Sequence, residues 1–222
     1  MKSSLIKNQK WFIPSIIVSL ASLLLVIKPA TAHHPFGGQT PANFIEGFLS
    51  GLGHPIIGLD HFAFVVAAGL LGTRLKQGFL IPLAFVLATM IGTGIHLQDI
   101  NLPFPELIIA LSVLTFGVLL VIKKGLLLTS NFSTLIWATL ALSAGIFHGY
   151  AYGEAIVGSE MTPLVSYLAG FALIQLMVSL GTFTLAKLLI KKDENKGLLI
   201  VRNIGFIISG IGLTFLSSAI VG

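Results

Sequence analysis

The chain has 222 residues, of which 55% are hydrophobic and only 9% charged, with a formal net charge of +5. An ordinary soluble domain is about a quarter charged, so this composition excludes one and defines an integral membrane protein. There is no Cys, which rules out disulfides and thiolate metal sites, and the Lys and Arg cluster between apolar segments like those of cytoplasmic loops, which leaves no case for a nucleic-acid partner.

In chain order, the first element reads as an export signal. Lys2, Lys7 and Lys10 precede the apolar run Trp11 to Ile27, and "KPATAHH" places Ala30 and Ala32 in an A-x-A arrangement. Cleavage after Ala32 is expected, making 1–32 a signal peptide and 33–222 the mature membrane domain. An uncleaved anchor is the alternative, favoured by the length of the run and by Lys28. In either case His33 emerges outside. After cleavage the chain would begin His33-His34, and a free α-amine beside an imidazole chelates a divalent metal.

Six apolar stretches follow, each approaching the roughly 20 residues a helix needs to cross the hydrocarbon core. They run from about Pro55 to Thr73, Gly78 to Leu97, Pro103 to Ile122, Phe132 to Tyr152, Thr162 to Ile190 and Leu198 to Val221. None shows the period-two alternation of a barrel strand. The expected fold is all-α: a polytopic membrane protein with six transmembrane helices after an N-terminal signal peptide.

Charge sets the orientation. Arg74 and Lys76, then Lys123 and Lys124, then Lys187, Lys191, Lys192, Lys196 and Arg202 fall at alternate connections, which face the cytoplasm by the positive-inside rule. Glu46, Asp99, Glu106, Glu154 and Glu160 fall on the other side, with His33, His34, His54, His96 and His148. The expected location is a bacterial inner (plasma) membrane, crossed several times, with mature N- and C-termini extracytoplasmic. Asp60 and His61 lie roughly 10 Å below the outer end of the first span at 1.5 Å per residue.

The stretch "GHPIIGLDHF", Gly53 to Phe62, is the first candidate site. In a continuous helix, residues seven apart lie within roughly 20° of one face, so His54 and His61 would align two turns apart with Gly58 between them. An ionisable group inside a membrane costs at least about 2.5 kcal/mol, and such groups face a bundle interior or a water-filled path. The nearest spans offer Asp60 no cation at that depth. Metal coordination and proton relay both remain open; imidazole with carboxylate and no thiolate suits Ni, Co or Zn.

The second is "AGIFHGYAYGEA", with His148 near the outer end of the fourth span, Tyr152 one turn on and Glu154 beyond. Gly145, Gly149 and Gly153 form a small-residue ridge for a close helix neighbour. His96, in "GTGIHLQD" with Asp99, can join from a third direction.

These residues resemble a known family. "HPIIGLDHFAFVVAAG" is similar to the H-P-x-x-G-x-D-H signature of the HupE/UreJ proteins, and "FHGYAYGEA" resembles their later F-H-G-x-A-H-G motif in a comparable six-span chain. The resemblance implies a secondary permease for nickel, with cobalt as second candidate. It points to His54, Asp60, His61 and His148 as metal-binding residues, with His33 as the histidine after the signal. The sequence departs from the family pattern at Tyr152, where many relatives carry His, and at Glu154, which comes one place early; the tyrosine resembles the cyanobacterial-type branch.

The reading is therefore not an enzyme but a permease that captures a divalent transition metal, its substrate, at an extracytoplasmic site drawn from His33, His54, Asp60, His61, His148 and His96. Ni leads, followed by Co or Zn. Its partners are the metal ion and the lipid bilayer; homo-oligomerisation is left open. No nucleotide-binding G-x-x-x-x-G-K-[ST] occurs, so transport would be facilitated or ion-coupled. The rival is a membrane-embedded zinc hydrolase with His61, His96 and His148 as ligands and Asp60 as general base. A third reading is a metal-storing or assembly subunit. Gly92, Thr93, Gly94, Gln175 and Ser179 supply small or polar groups at or below the site, which favours transport, although each one singly also fits helix packing.

Overall fold

The computed structural model describes residues 40–122 and 131–221. The expected signal peptide, His33, His34, Lys123 and Lys124 lie outside them. Regular structure among the described residues is entirely helical: α1 (Phe44–Ile57), α2 (Leu59–Gly72), α3 (Leu80–His96), α4 (Pro105–Val121), α5 (Asn131–Glu154), α6 (Met161–Lys192) and α7 (Glu194–Val221). By length and composition α6, α7 and most of α5 can each cross a bilayer, and α1 with α2 passes as one span bent by 79°. Helices α3 and α4 are apolar but shorter, at 17 residues each.

The first span differs from the expected unbroken run. Helix α1 starts well before Pro55, because Asn43 caps it: its side-chain oxygen accepts from the Glu46 amide at 3.0 Å, and the Glu46 carboxylate returns to the Asn43 side chain at 2.7 Å. Pro55 lacks an N–H and weakens the last turn. Gly58 closes α1 by donating to the His54 carbonyl at 3.1 Å. Asp60 opens α2 by accepting the His61 amide at 2.8 Å. At φ −70° the backbone of Gly58 suits any residue, but a Cβ there would lie 2.6 Å from the His61 ring. Glycine is needed for space.

The largest helix contacts join α3 to α5, α4 to α7 and α1 to α6. The ridge expected from sequence is the α3–α5 seam. Cβ atoms on Gly145 and Gly149 would strike the α3 backbone at Phe85 and Thr89, and one on Gly153 would strike His96. Between the helices lies an aromatic cluster, with Phe64 at 4.6 Å from Phe85 and 4.5 Å from Phe116 by ring centroid.

Arg74, legible in sequence only as a cytoplasmic charge, has a structural task. It is buried, and its guanidinium donates to the carbonyls of Ile122 (2.8 Å), Leu119 (3.2 Å) and Leu120. These are the groups left unpaired at the C-terminus of α4. Arg74→Ala is expected to lower stability in detergent by about 2–3 kcal/mol, the worth of charged hydrogen bonds to a helix end. Denaturant unfolding of the two proteins measures this.

Candidate functional site

The break in the first span sets two histidines on different helices. His54 ends α1, His61 begins α2, and both are buried. Their ring centroids lie 5.9 Å apart at an interplanar angle of 57°. They face each other across the bend rather than stacking along one face.

His61 meets a third imidazole. Its Nδ1 is 2.8 Å from Nδ1 of His148 on α5, which is completely buried. The Nε2 of His148 lies 3.0 Å from Ser112 Oγ on α4. With the rings neutral, proton counting assigns the tautomers. Ser112 spends its one hydroxyl proton on the Ile109 carbonyl at 2.7 Å, so it accepts from His148 Nε2–H. The Nδ1 of His148 then carries the lone pair, and His61 donates to it. That leaves the lone pair of His61 on Nε2.

The same counting applies to His54. Tyr167 on α6 donates its hydroxyl to the Tyr152 carbonyl at 2.9 Å. Its oxygen therefore accepts from His54 Nδ1–H at 3.0 Å, and the lone pair of His54 is likewise on Nε2. Tyr152 completes the enclosure, its ring 4.6 Å from that of His61 and 5.0 Å from that of His54. Its hydroxyl is buried without a hydrogen-bond partner. Phe171 stands behind it at 5.4 Å. Phe64 packs at 4.7 Å and Phe85 at 5.4 Å from the His148 ring.

The remaining candidates are placed differently. Asp60 is half-buried, and its carboxylate accepts the His61 amide within the first turn of α2. His96 lies on the α3–α5 seam, its ring 4.5 Å from Tyr150, with a buried Nδ1 that has no hydrogen-bond partner. Asp99 and Glu154 are exposed. Among the described residues no three His or acidic side chains are gathered closely enough to hold a metal ion together. His54, His61 and His148 thus form a line of neighbours, not one three-ligand cluster. Sequence reading missed Ser112, Tyr167 and Phe171; each sits in an apolar run, where one hydroxyl or ring carries no signal of its own.

A bent, buried, imidazole-bearing span within an all-helical bundle defines a polytopic helical membrane protein with a polar site enclosed among its helices. The family model described as HupE / UreJ protein matches residues 21–215. Protein HupE of Rhizobium leguminosarum bv. viciae is 32% identical over 158 residues, 70% of this chain and 74% of that protein. The chain belongs to the HupE/UreJ family, which is one of transport and accessory proteins rather than of enzymes. No solved structure matches it.

Proposed function

We propose that the protein is a permease for a divalent transition metal, nickel first and cobalt second, in a bacterial inner membrane. The span count is six: α1 with α2 as one broken span, then α3 to α7. At about 1.5 Å per residue the 17-residue helices α3 and α4 reach roughly 25 Å, which a locally thinned bilayer accommodates. Alternating basic connections support an extracytoplasmic site and both mature termini outside. His33, exposed by cleavage of the signal, would recruit the ion, with His34 beside it.

The observation that carries this reading is the pair His54 and His61 at the break of the first span, buried and 5.9 Å apart by ring centroid. Discontinuous helices are where transporters place ion sites, because backbone irregularity is tolerated only beside a cavity or buried in protein. Two imidazoles bound to one ion through nitrogens at about 2.0–2.1 Å have ring centres separated by roughly 5–6 Å. The ion would lie between the Nε2 atoms, with water completing its shell. His148 orients His61 through the Nδ1 contact at 2.8 Å. Asp60 fixes the start of α2 and adds negative charge near the entrance. A site with two protein ligands releases its cargo, as conduction requires, whereas a zinc hydrolase needs three.

Uptake into proteoliposomes tests the reading. The wild-type protein is expected to take up Ni saturably, then Co, ahead of Zn and Cu. Uptake of every metal at the level of empty liposomes would overturn it.

A further inference from the structure

Below the histidines a second polar position has no assigned role. Tyr167, Phe171, Gln175 and Ser179 recur every four residues on one face of α6, and all four are completely buried. The first two enclose His54 and Tyr152. Gln175 stands one turn further in, and Ser179 backs onto Gly69 of α2. Phe64 and Phe85 pack on the ring of His148 at 4.7 and 5.4 Å as an aromatic plug, and Gln175 and Ser179 are buried polar side chains of α6 beyond Phe171.

The amide of Gln175 is half satisfied. One terminal atom, Nε2, has no hydrogen-bond partner, and the other, Oε1, lies 3.4 Å from Thr89 Oγ1 on α3. Thr89 has a single hydroxyl proton, already given to the Val86 carbonyl at 2.7 Å. Two oxygens facing each other without a proton repel. Turning the amide over resolves this: Nε2–H donates to Thr89 Oγ1, and the carbonyl oxygen becomes the atom left without a partner. An unmatched carbonyl in a dry interior is costly, and it is a ligand for a cation.

We propose that the side-chain oxygen of Gln175 is a second station for the transported cation, receiving it with part of its water shell as it leaves the imidazoles. The inference rests on the permease reading. A neutral oxygen holds a transition metal more weakly than imidazole, so the step lowers the barrier past the aromatic plug without trapping the ion.

The test is Ni uptake into proteoliposomes by Gln175→Leu and Gln175→Glu against wild type. Gln175→Leu is expected to lower the maximal rate about 10- to 100-fold, the usual effect of removing a supporting polar group, while the half-saturating Ni concentration stays within about twofold because the imidazoles are intact. Gln175→Glu, which keeps an oxygen, is expected to retain most of the rate and to move the metal order toward Co. A Gln175→Leu rate equal to wild type would overturn the proposal and leave the amide matched by a buried water only. So would a Gln175→Glu rate as low as that of Gln175→Leu. If Gln175→Leu does not reconstitute, Gln175→Glu decides alone: an altered metal order supports the station, and wild-type rate and order overturn it. Absence of wild-type uptake would instead bring down the permease reading itself.

Discussion

Proteoliposomes carrying His61→Ala are expected to take up Ni about 100-fold more slowly than wild type, while His148→Asn loses about tenfold, in line with the costs of removing a metal ligand and of weakening the group that orients one. The ranking follows from the hydrogen-bond chain. The ring of His61 is held through its Nδ1 by His148, 2.8 Å away. Alanine at position 61 removes the nitrogen itself and leaves His148 without its donor. Asparagine at position 148 keeps a carbonyl oxygen to accept that proton and an amide to reach Ser112, so the tautomer of His61 survives with poorer geometry. If His148 were itself a ligand, the asparagine variant would fall as far as the alanine variant. Initial rates at saturating Ni, with His54→Ala expected to match His61→Ala, separate the two cases.

The helical bundle and much of this site are legible in the amino-acid sequence, for a physical reason: charge and imidazole are so expensive in hydrocarbon that His54, Asp60, His61 and His148 stand out against their neighbours. The glycine ridge of α5 is legible too, because small residues four apart have one common use in a membrane helix. The break at Gly58 is not. Residues from Pro55 onward read as one continuous apolar span, and a periodicity argument then puts His54 and His61 on a single face. The signals were there, in a proline without an N–H and a glycine four residues from His54, but each also occurs in unbroken membrane helices. Helix α1 was hidden for the opposite reason: Glu46, Ser50 and the glycines at 47, 51 and 53 give it the composition of a loop, although Gly47 and Gly51 allow close packing on α6. Ser112, Tyr167 and the carbonyl-capping task of Arg74 depend on partners 15 or more residues away, a distance over which local pattern carries no information.

The α3–α5 seam positions His148 and makes the second large prediction. Gly149→Leu is expected to lower stability by about 3 kcal/mol or more, at the upper end for overpacked sites, and to abolish uptake in whatever protein remains folded. A side chain at 149 would enter the space of the Thr89 backbone, which cannot rotate away as a side-chain end can. It would also part the Thr93 hydroxyl from the Gly149 carbonyl it meets at 2.8 Å. Because His148 is the adjacent residue, separating the two helices there withdraws its ring from His61. Even Gly149→Ala should be destabilising, although alanine in a helix gains about 0.5–1 kcal/mol over glycine when nothing obstructs it. Gly94, on the same helix as Thr93, supplies the contrast: a Cβ built there meets no neighbouring element within 4 Å, so Gly94→Ala is expected to hold or raise the unfolding temperature. Thermal unfolding in detergent alongside Ni uptake measures both variants. Equal stability of Gly149→Leu and wild type would mean that the seam does not set the position of His148.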